Sequence, residues 1–199
     1  MGAIIRLATV EDAGAVQAIY APYVRDTTIS FELEPPDVEA MCERITKTLA
    51  RLPWLVSQSG DGTVMGYAYA GLHRERWAYQ WSVDVSAYID PRFHRMGLGR
   101  GLYLSLFALL RLQGYYNAFA GVTLPNEASV GLHTALGLQP VGVYRSVGYK
   151  FGAWHDVAWF GMPLHAHPAE VAPPRPLAEA IHDPGWPAAL QSGLPAFRL

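Results

Sequence analysis

The sequence predicts a mixed α/β (α+β) domain built around an anion-binding turn, and three observations predict it. Strand-like runs and helix-period stripes alternate over residues 1–164 in the order β-α-α-β-β-β-α-β-α-β-β, with no internal repeat. A glycine-rich stretch, His94-Arg95-Met96-Gly97-Leu98-Gly99-Arg100-Gly101-Leu102, joins a strand-like run at 81–89 to an apolar helix-like run at 102–112. From residue 165 the periodicity stops and seven of the last 35 residues are proline, so 165–199 is expected to be a tail that wraps the domain.

The elements follow in order. Residues 3–7 form a short apolar run, a first strand. Thr9 with Asp12 three positions on is a capping-box pattern. Val16, Ile19, Tyr20 and Tyr23 then share one helical face. Pro35-Pro36 is expected to start a second helix, with Val38, Met41, Ile45 and Leu49 as its stripe. Residues 54–57 and 63–72 flank Ser59-Gly60-Asp61-Gly62, a hairpin pattern. After the glycine-rich stretch a helix is expected to end at Gly114, residues 117–122 to form a strand, and residues 126–136 a helix stopped by Gly137. Runs at 141–147 and 150–164 predict two long terminal strands turning at Gly148.

Composition narrows the function. Hydrophobic residues make up 51% and charged ones 16%, which excludes a disordered chain over the domain. A net charge of −2 without a lysine–arginine cluster gives no footprint for nucleic acid. The lone Cys42 forms no internal disulfide and suggests a reducing compartment. The first residues show no signal-peptide pattern, and the greasiest segment, 102–110, is far shorter than the roughly 20 residues that cross a bilayer. A cytoplasmic protein is expected.

The glycine-rich stretch carries the chemistry. Gly97 and Gly99 permit a tight turn and a close approach to bare backbone. The helix behind them leaves its first N–H groups unpaired and aimed at the turn, and Arg95 and Arg100 add charge. That combination suits a phosphate or pyrophosphate. G-x-x-x-x-G-K-[ST] is absent, and Leu102 stands where a dinucleotide fingerprint has its third glycine.

The stretch resembles the Q/R-x-x-G-x-G/A signature of the GNAT N-acetyltransferases, whose loop amides hold the pyrophosphate of acetyl-CoA. Gly97 and Gly99 match, while His94 occupies the Gln/Arg position. Asn126-x-x-Ser129-x-x-x-His133-x-x-x-Gly137-Leu138 resembles the family's second motif, with His133 at the usual tyrosine. The segments Phe31-Glu32-Leu33-Glu34-Pro35, Tyr67-Ala68-Tyr69-Ala70-Gly71, Leu124-Pro125-Asn126 and Gly148-Tyr149-Lys150-Phe151-Gly152-Ala153-Trp154-His155-Asp156-Val157 are similar to the phosphinothricin and methionine sulfoximine acetyltransferase branch.

The resemblance implies a mostly antiparallel sheet of about seven strands, splayed between the fourth and fifth, with helices on both faces. It implies a bulge in the fourth strand that frees backbone groups at Ala87, Tyr88 and Ile89 for pantetheine. It also implies a homodimer and acetyl-CoA as cosubstrate. His94, Arg95, Met96, Gly97, Leu98, Gly99, Arg100 and Asn126 complete the expected cofactor site, and Asn126 doubles as a candidate helix cap.

Acetyl transfer to an amine needs a proton acceptor, and two residues qualify. Asp84 stands where the branch has the glutamate of T-V-E. His133 titrates near neutrality without any perturbation. On that ground the histidine is expected to carry more of the rate. Arg74, Arg76, Tyr79 and Lys150 are candidate clamps for an anionic acceptor group, and Phe31 and Trp154 resemble pocket-lining aromatics. No metal is expected, because His155 and Asp156 lack further paired ligands. The expected reaction is direct acetylation of the α-amine of a small amino-acid-like acceptor, since Cys42 lies outside both motifs. The alternatives are a GNAT acting on a polyamine, an aminoglycoside or a protein N-terminus, and a catalytically silent acyl-CoA sensor.

Overall fold

In the computed structural model, which describes residues 2–199, the alternation resolves into one seven-stranded sheet. Strands β1 (Ile4–Leu7), β2 (Trp54–Gln58), β3 (Val64–Leu72), β4 (Ser82–Ile89), β5 (Asn117–Thr123), β6 (Gln139–Lys150) and β7 (Ala153–Pro163) stand in the order β1-β2-β3-β4-β5-β7-β6. Every neighbouring pair is antiparallel except β4 and β5, which a helical crossover makes parallel. Helices α1 (Ala13–Asp26) and α2 (Val38–Leu49) bury Val16, Ile19, Val24, Met41 and Ile45 against Trp54, Val56 and Tyr67 on one face. On the other, α3 (Leu98–Gln113) buries Leu102, Leu106, Leu109 and Leu110 against Leu55, Ala68, Val83 and Val85. The central strands are thus covered on both faces, and β2 is buried over four successive residues. Helix α4 (Glu127–Ala135) follows β5.

Local chemistry sets the ends of these elements. Asp12 accepts from the Thr9 amide at 2.8 Å and holds Arg6 through two bonds of 2.7 Å, tying the entry of α1 to β1. The start of α2 differs from expectation. Asp37 is the cap, accepting from the Ala40 amide at 2.8 Å, and Pro35-Pro36 lie outside the helix. An aspartate satisfies an unpaired helix amide, which a proline only avoids presenting. Gly97 and Gly114 bound α3 with left-handed φ of 78° and 89°.

The terminal hairpin also differs. Its turn is Phe151-Gly152, both left-handed at φ 52° and 78°, and Lys150 pairs with Ala153. Two left-handed residues match the twist of the flanking strands. Gly148 sits inside β6 opposite His155, because a side chain there would overlap the Phe31 ring.

The sheet splits at its centre, as the resemblance implies. β4 pairs with β5 only over Ser82–Asp84 and Asn117–Phe119, so β4 beyond Asp84 has an open edge on that side. The expected bulge is absent from the β3–β4 ladder, whose register runs unbroken from Gly66–Ile89 to Leu72–Val83. Divergence of β5 alone opens the edge.

Residues 165–199 cross α3 and end beside its first turn. Short helices α5 (Leu177–Ala180) and α6 (Trp186–Gln191) bury Leu177, Ala180 and Trp186 in the α3-side core. The Ser105 hydroxyl donates to the Leu190 carbonyl at 2.8 Å and accepts from the Gly193 amide at 3.1 Å. The Arg198 amide donates to the Met96 carbonyl at 2.9 Å, which fastens the segment to the glycine-rich turn. Among the described residues no helix is long and apolar enough to cross a membrane, and no cluster of three or more potential metal ligands occurs.

Candidate active site

Two features meet at the split. From the α3 side comes the turn at 94–100. Gly97 reverses the chain, and the first backbone bond of the helix is Gly101 amide to Gly97 carbonyl, at 2.9 Å. The amides of Leu98, Gly99 and Arg100 therefore have no partner in the helix and sit at its positive end. A side chain on Gly99 would lie 3.3 Å from Leu132 and 3.8 Å from Ile89, in the gap between α4 and β4. Arg95 is held left-handed at φ 63°, an uncommon conformation for a non-glycine residue. Arg100 donates to the Ala135 carbonyl at 3.3 Å. Three free amides beyond an open strand edge suit an extended chain ending in a pyrophosphate. His94 is engaged elsewhere: its Nε2 lies 2.9 Å from the Tyr23 hydroxyl and 3.1 Å from the Ile89 carbonyl, tying the turn to α1 and β4.

From the opposite face comes Asp84, the last β4 residue paired with β5. Its Oδ1 lies 2.6 Å from Nδ1 of His73, a residue the sequence analysis did not single out. His73 is two residues past Gly71, the β3 partner of Asp84, so both side chains project from the same face. No motif marks this pair; only the β3–β4 register reveals it. Burial pushes the Asp84 carboxyl above its ordinary range, against the opposing pull of His73 and Arg74.

His133 is placed differently. It is 4% exposed, and both ring nitrogens are occupied: Nδ1 is 2.7 Å from the Ser129 carbonyl and Nε2 is 3.2 Å from the Tyr103 hydroxyl. Nδ1 must donate to that carbonyl, so Nε2 accepts from the hydroxyl. Burial lowers its pKa and keeps the ring neutral. The histidine locks α4 onto α3 and has no nitrogen free for an acceptor amine. Asn126 caps α4, its side-chain oxygen accepting from the Ser129 amide at 3.1 Å.

Residues 5–159 match the acetyltransferase (GNAT) domain family. The chain belongs to the GNAT acetyltransferases. It is 39% identical over 173 residues to a phosphinothricin N-acetyltransferase of Streptomyces viridochromogenes, covering 87% of this chain and 92% of that one. It is 35% identical over 175 residues to the L-methionine sulfoximine/L-methionine sulfone acetyltransferase of Pseudomonas aeruginosa, covering 87% and 100%. Among solved structures, a GNAT phosphinothricin acetyltransferase from Sinorhizobium meliloti in complex with acetyl-CoA superposes with a TM-score of 0.81 at 30% identity, covering 87% of this chain and 94% of that one.

In this GNAT chain the expected acceptor-side residues fall in four places. Arg74, Arg76 and Tyr79 lie on the β3–β4 connection. Arg74 donates to the His73 carbonyl at 2.7 Å, Tyr79 stands edge-on to His73 at 6.1 Å, and Arg76 helps line a pocket of about 60 Å³ with Arg51, Arg74 and Trp77. Phe31, from the α1–α2 connection, leans on Gly148 and His155 of the terminal hairpin. Trp154 packs on Tyr149 near the hairpin tip and is 65% exposed.

Lys150 is not available as an anion clamp. It is 3% exposed, and its Nζ donates to the Val24 and Ser30 carbonyls at 2.6 and 2.7 Å. Burial lowers its pKa. It pins the hairpin to the end of α1. Lys150→Met is expected to strand those carbonyls and cost about 1–3 kcal/mol in denaturant unfolding, with the KM for acceptor changed far less than stability. A KM that rises alone would restore the clamp.

Proposed function

We propose that this acetyltransferase moves acetyl from acetyl-CoA to the amine of a small amino acid of the phosphinothricin or methionine sulfoximine type. The observation that carries the reading is the split at Asp84, with free helix amides on one side and a carboxylate–imidazole pair on the other. The relatives' substrates support the acceptor class.

Acetyl-CoA supplies an activated acetyl thioester. The chain's own residues bind and orient it: the backbone of Ala87 and the amide of Ile89, on the open edge of β4, pair with the pantetheine arm, and the amides of Leu98, Gly99 and Arg100 hold the pyrophosphate beside the charges of Arg95 and Arg100. Tyr88 is not available for this, because without a bulge it pairs with Tyr67 of β3, and the Ile89 carbonyl is taken by Tyr23 and His94. The acceptor amine then meets the split at Asp84. Its anionic groups face Arg76 and Tyr79. Arg76→Ala is expected to raise the KM for amino-acid acceptors about ten- to hundred-fold, the loss of one charge-assisted bond of roughly 1.5–3 kcal/mol. An equal rise with uncharged amines would make Arg76 structural.

The active form is a homodimer in this reading. β6 is an edge strand that exposes Val141, Val143, Val147 and Tyr149, a long apolar edge of the kind that a second copy covers. Sedimentation equilibrium at a dimer mass supports it, and a monomer at all concentrations contradicts it.

Thiol release from acetyl-CoA tests the function over methionine sulfoximine, methionine sulfone, phosphinothricin, a polyamine, an aminoglycoside and a peptide N-terminus. Release with the three amino acids is expected. Release only with the others would reassign the acceptor, and CoA binding without release from any would make the chain a sensor.

A further inference from the structure

We propose that the group which takes the proton from the acceptor ammonium is His73 Nε2, with Asp84 as its orienting partner. This rests on the acetyltransferase reading above and adds the residue that carries the proton.

The geometry requires little else. A separation of 2.6 Å between His73 Nδ1 and Asp84 Oδ1 needs a proton between them, and the imidazole supplies it as the donor to an ionised carboxylate. Nε2 then carries the lone pair. It has no hydrogen-bond partner among the described residues and is not among their buried unpaired atoms. The ring is held from three sides: Phe119 of β5 stacks on it at 4.5 Å, while Tyr79 and Trp159 of β7 meet it edge-on, each at 6.1 Å. A base whose second nitrogen is fixed by a carboxylate is the arrangement that sets tautomer and aim in nucleophilic enzymes. The ring also stands at the vertex of the split, bonded to β4 and stacked on β5. Asp84 alone is a poor base, because even a raised carboxyl starts from a reference value of about 3.9. The titratable groups facing the ring are Asp84 and Tyr79, and the charged Arg74 lies beside them, bonded to the His73 backbone carbonyl.

The proton balance is simple. The ammonium gives one proton to Nε2, and the freed lone pair forms the C–N bond as the C–S bond of the thioester breaks. The nitrogen's second proton goes to the departing sulfur, and His73 sheds the first to solvent.

The experiment compares wild type with His73→Phe, which keeps the stacking on Phe119, and His73→Gln, which keeps a donor to Asp84. Both are expected to lose about 10²–10⁴-fold in kcat with the KM for acetyl-CoA unchanged. The acidic limb of the kcat/KM profile should disappear. If either variant keeps the wild-type rate and acidic limb, His73 is not the base. If one variant fails to fold, the other decides. The wild-type rate is the control: absence of turnover with every amine defeats the functional reading and this proposal together. A wild-type rate that His73→Phe retains defeats the role of His73 alone.

Discussion

Asp84→Asn is expected to lower kcat by about 10²–10⁴-fold while leaving the fold intact. The amide can still accept from His73 Nδ1 but carries no charge to stabilise the imidazolium, and it can turn its own N–H toward the ring, which favours the wrong tautomer. The same substitution should not weaken the fold. Burial raises the Asp84 pKa above its unfolded value, so the carboxyl ionises less readily in the native state than in the unfolded chain. The stability linked to that shift is fully present below the unfolded pKa and is lost as pH rises through the folded one. At neutral pH the ionised carboxylate is therefore a burden, and asparagine should match or exceed wild type in thermal unfolding. A variant that is inactive yet at least as stable would separate catalysis from packing. Loss of both would mean that Asp84 holds the β4–β5 junction together.

His133→Ala is expected to show the reverse, which overturns the order suggested by reference pKa values alone. Its effect should fall mainly on stability, because it leaves the Ser129 carbonyl and the buried Tyr103 hydroxyl without their partner. Its folded pKa is lowered, so wild type loses stability as pH falls through the unfolded value near 6.5 toward the folded one. The alanine variant should lack that part of the acid sensitivity.

Gly97→Val carries the second large effect. The position has φ 78°, and a side chain there would run into the Ala196 carbonyl of the C-terminal segment. Left-handed backbone costs a residue with a Cβ roughly 1–2 kcal/mol, and the overlap adds to it by forcing the turn or the segment to move. Calorimetric titration with CoA should show affinity reduced by more than about tenfold at this cost. Gly99→Ala should be milder, since its Cβ meets the flexible end of Leu132 at 3.3 Å and Ile89 at an ordinary 3.8 Å. Unchanged affinity in Gly97→Val would remove the turn from the cofactor site.

These expectations show which features were legible before the fold was known. The strand and helix order followed from periodicity, and Gly97 and Gly114 marked the ends of α3, because left-handed caps require glycine. Gly148 misled because two pressures favour glycine. It is bare to admit the Phe31 ring, while the turn falls to Phe151-Gly152. Lys150 reads from the sequence as a candidate anion clamp, but the carbonyls that claim it come from Val24 and Ser30, 126 and 120 residues earlier. His73 carried no motif at all. Its meeting with Asp84 depends on an antiparallel register closed across the long connection that begins after β3, and spacing along the chain does not encode that.

In the proposed reaction acetyl passes directly to an amino-acid nitrogen at the Asp84 side of the split. Mass spectrometry of both product and protein, after brief mixing of wild type with acetyl-CoA and L-methionine sulfoximine, tests it most directly. Acetyl on the α-nitrogen of the amino acid and a protein of unchanged mass are expected. Acetyl retained on the protein, at Cys42 or elsewhere, or an amino acid left unmodified while acetyl-CoA binds, would contradict it.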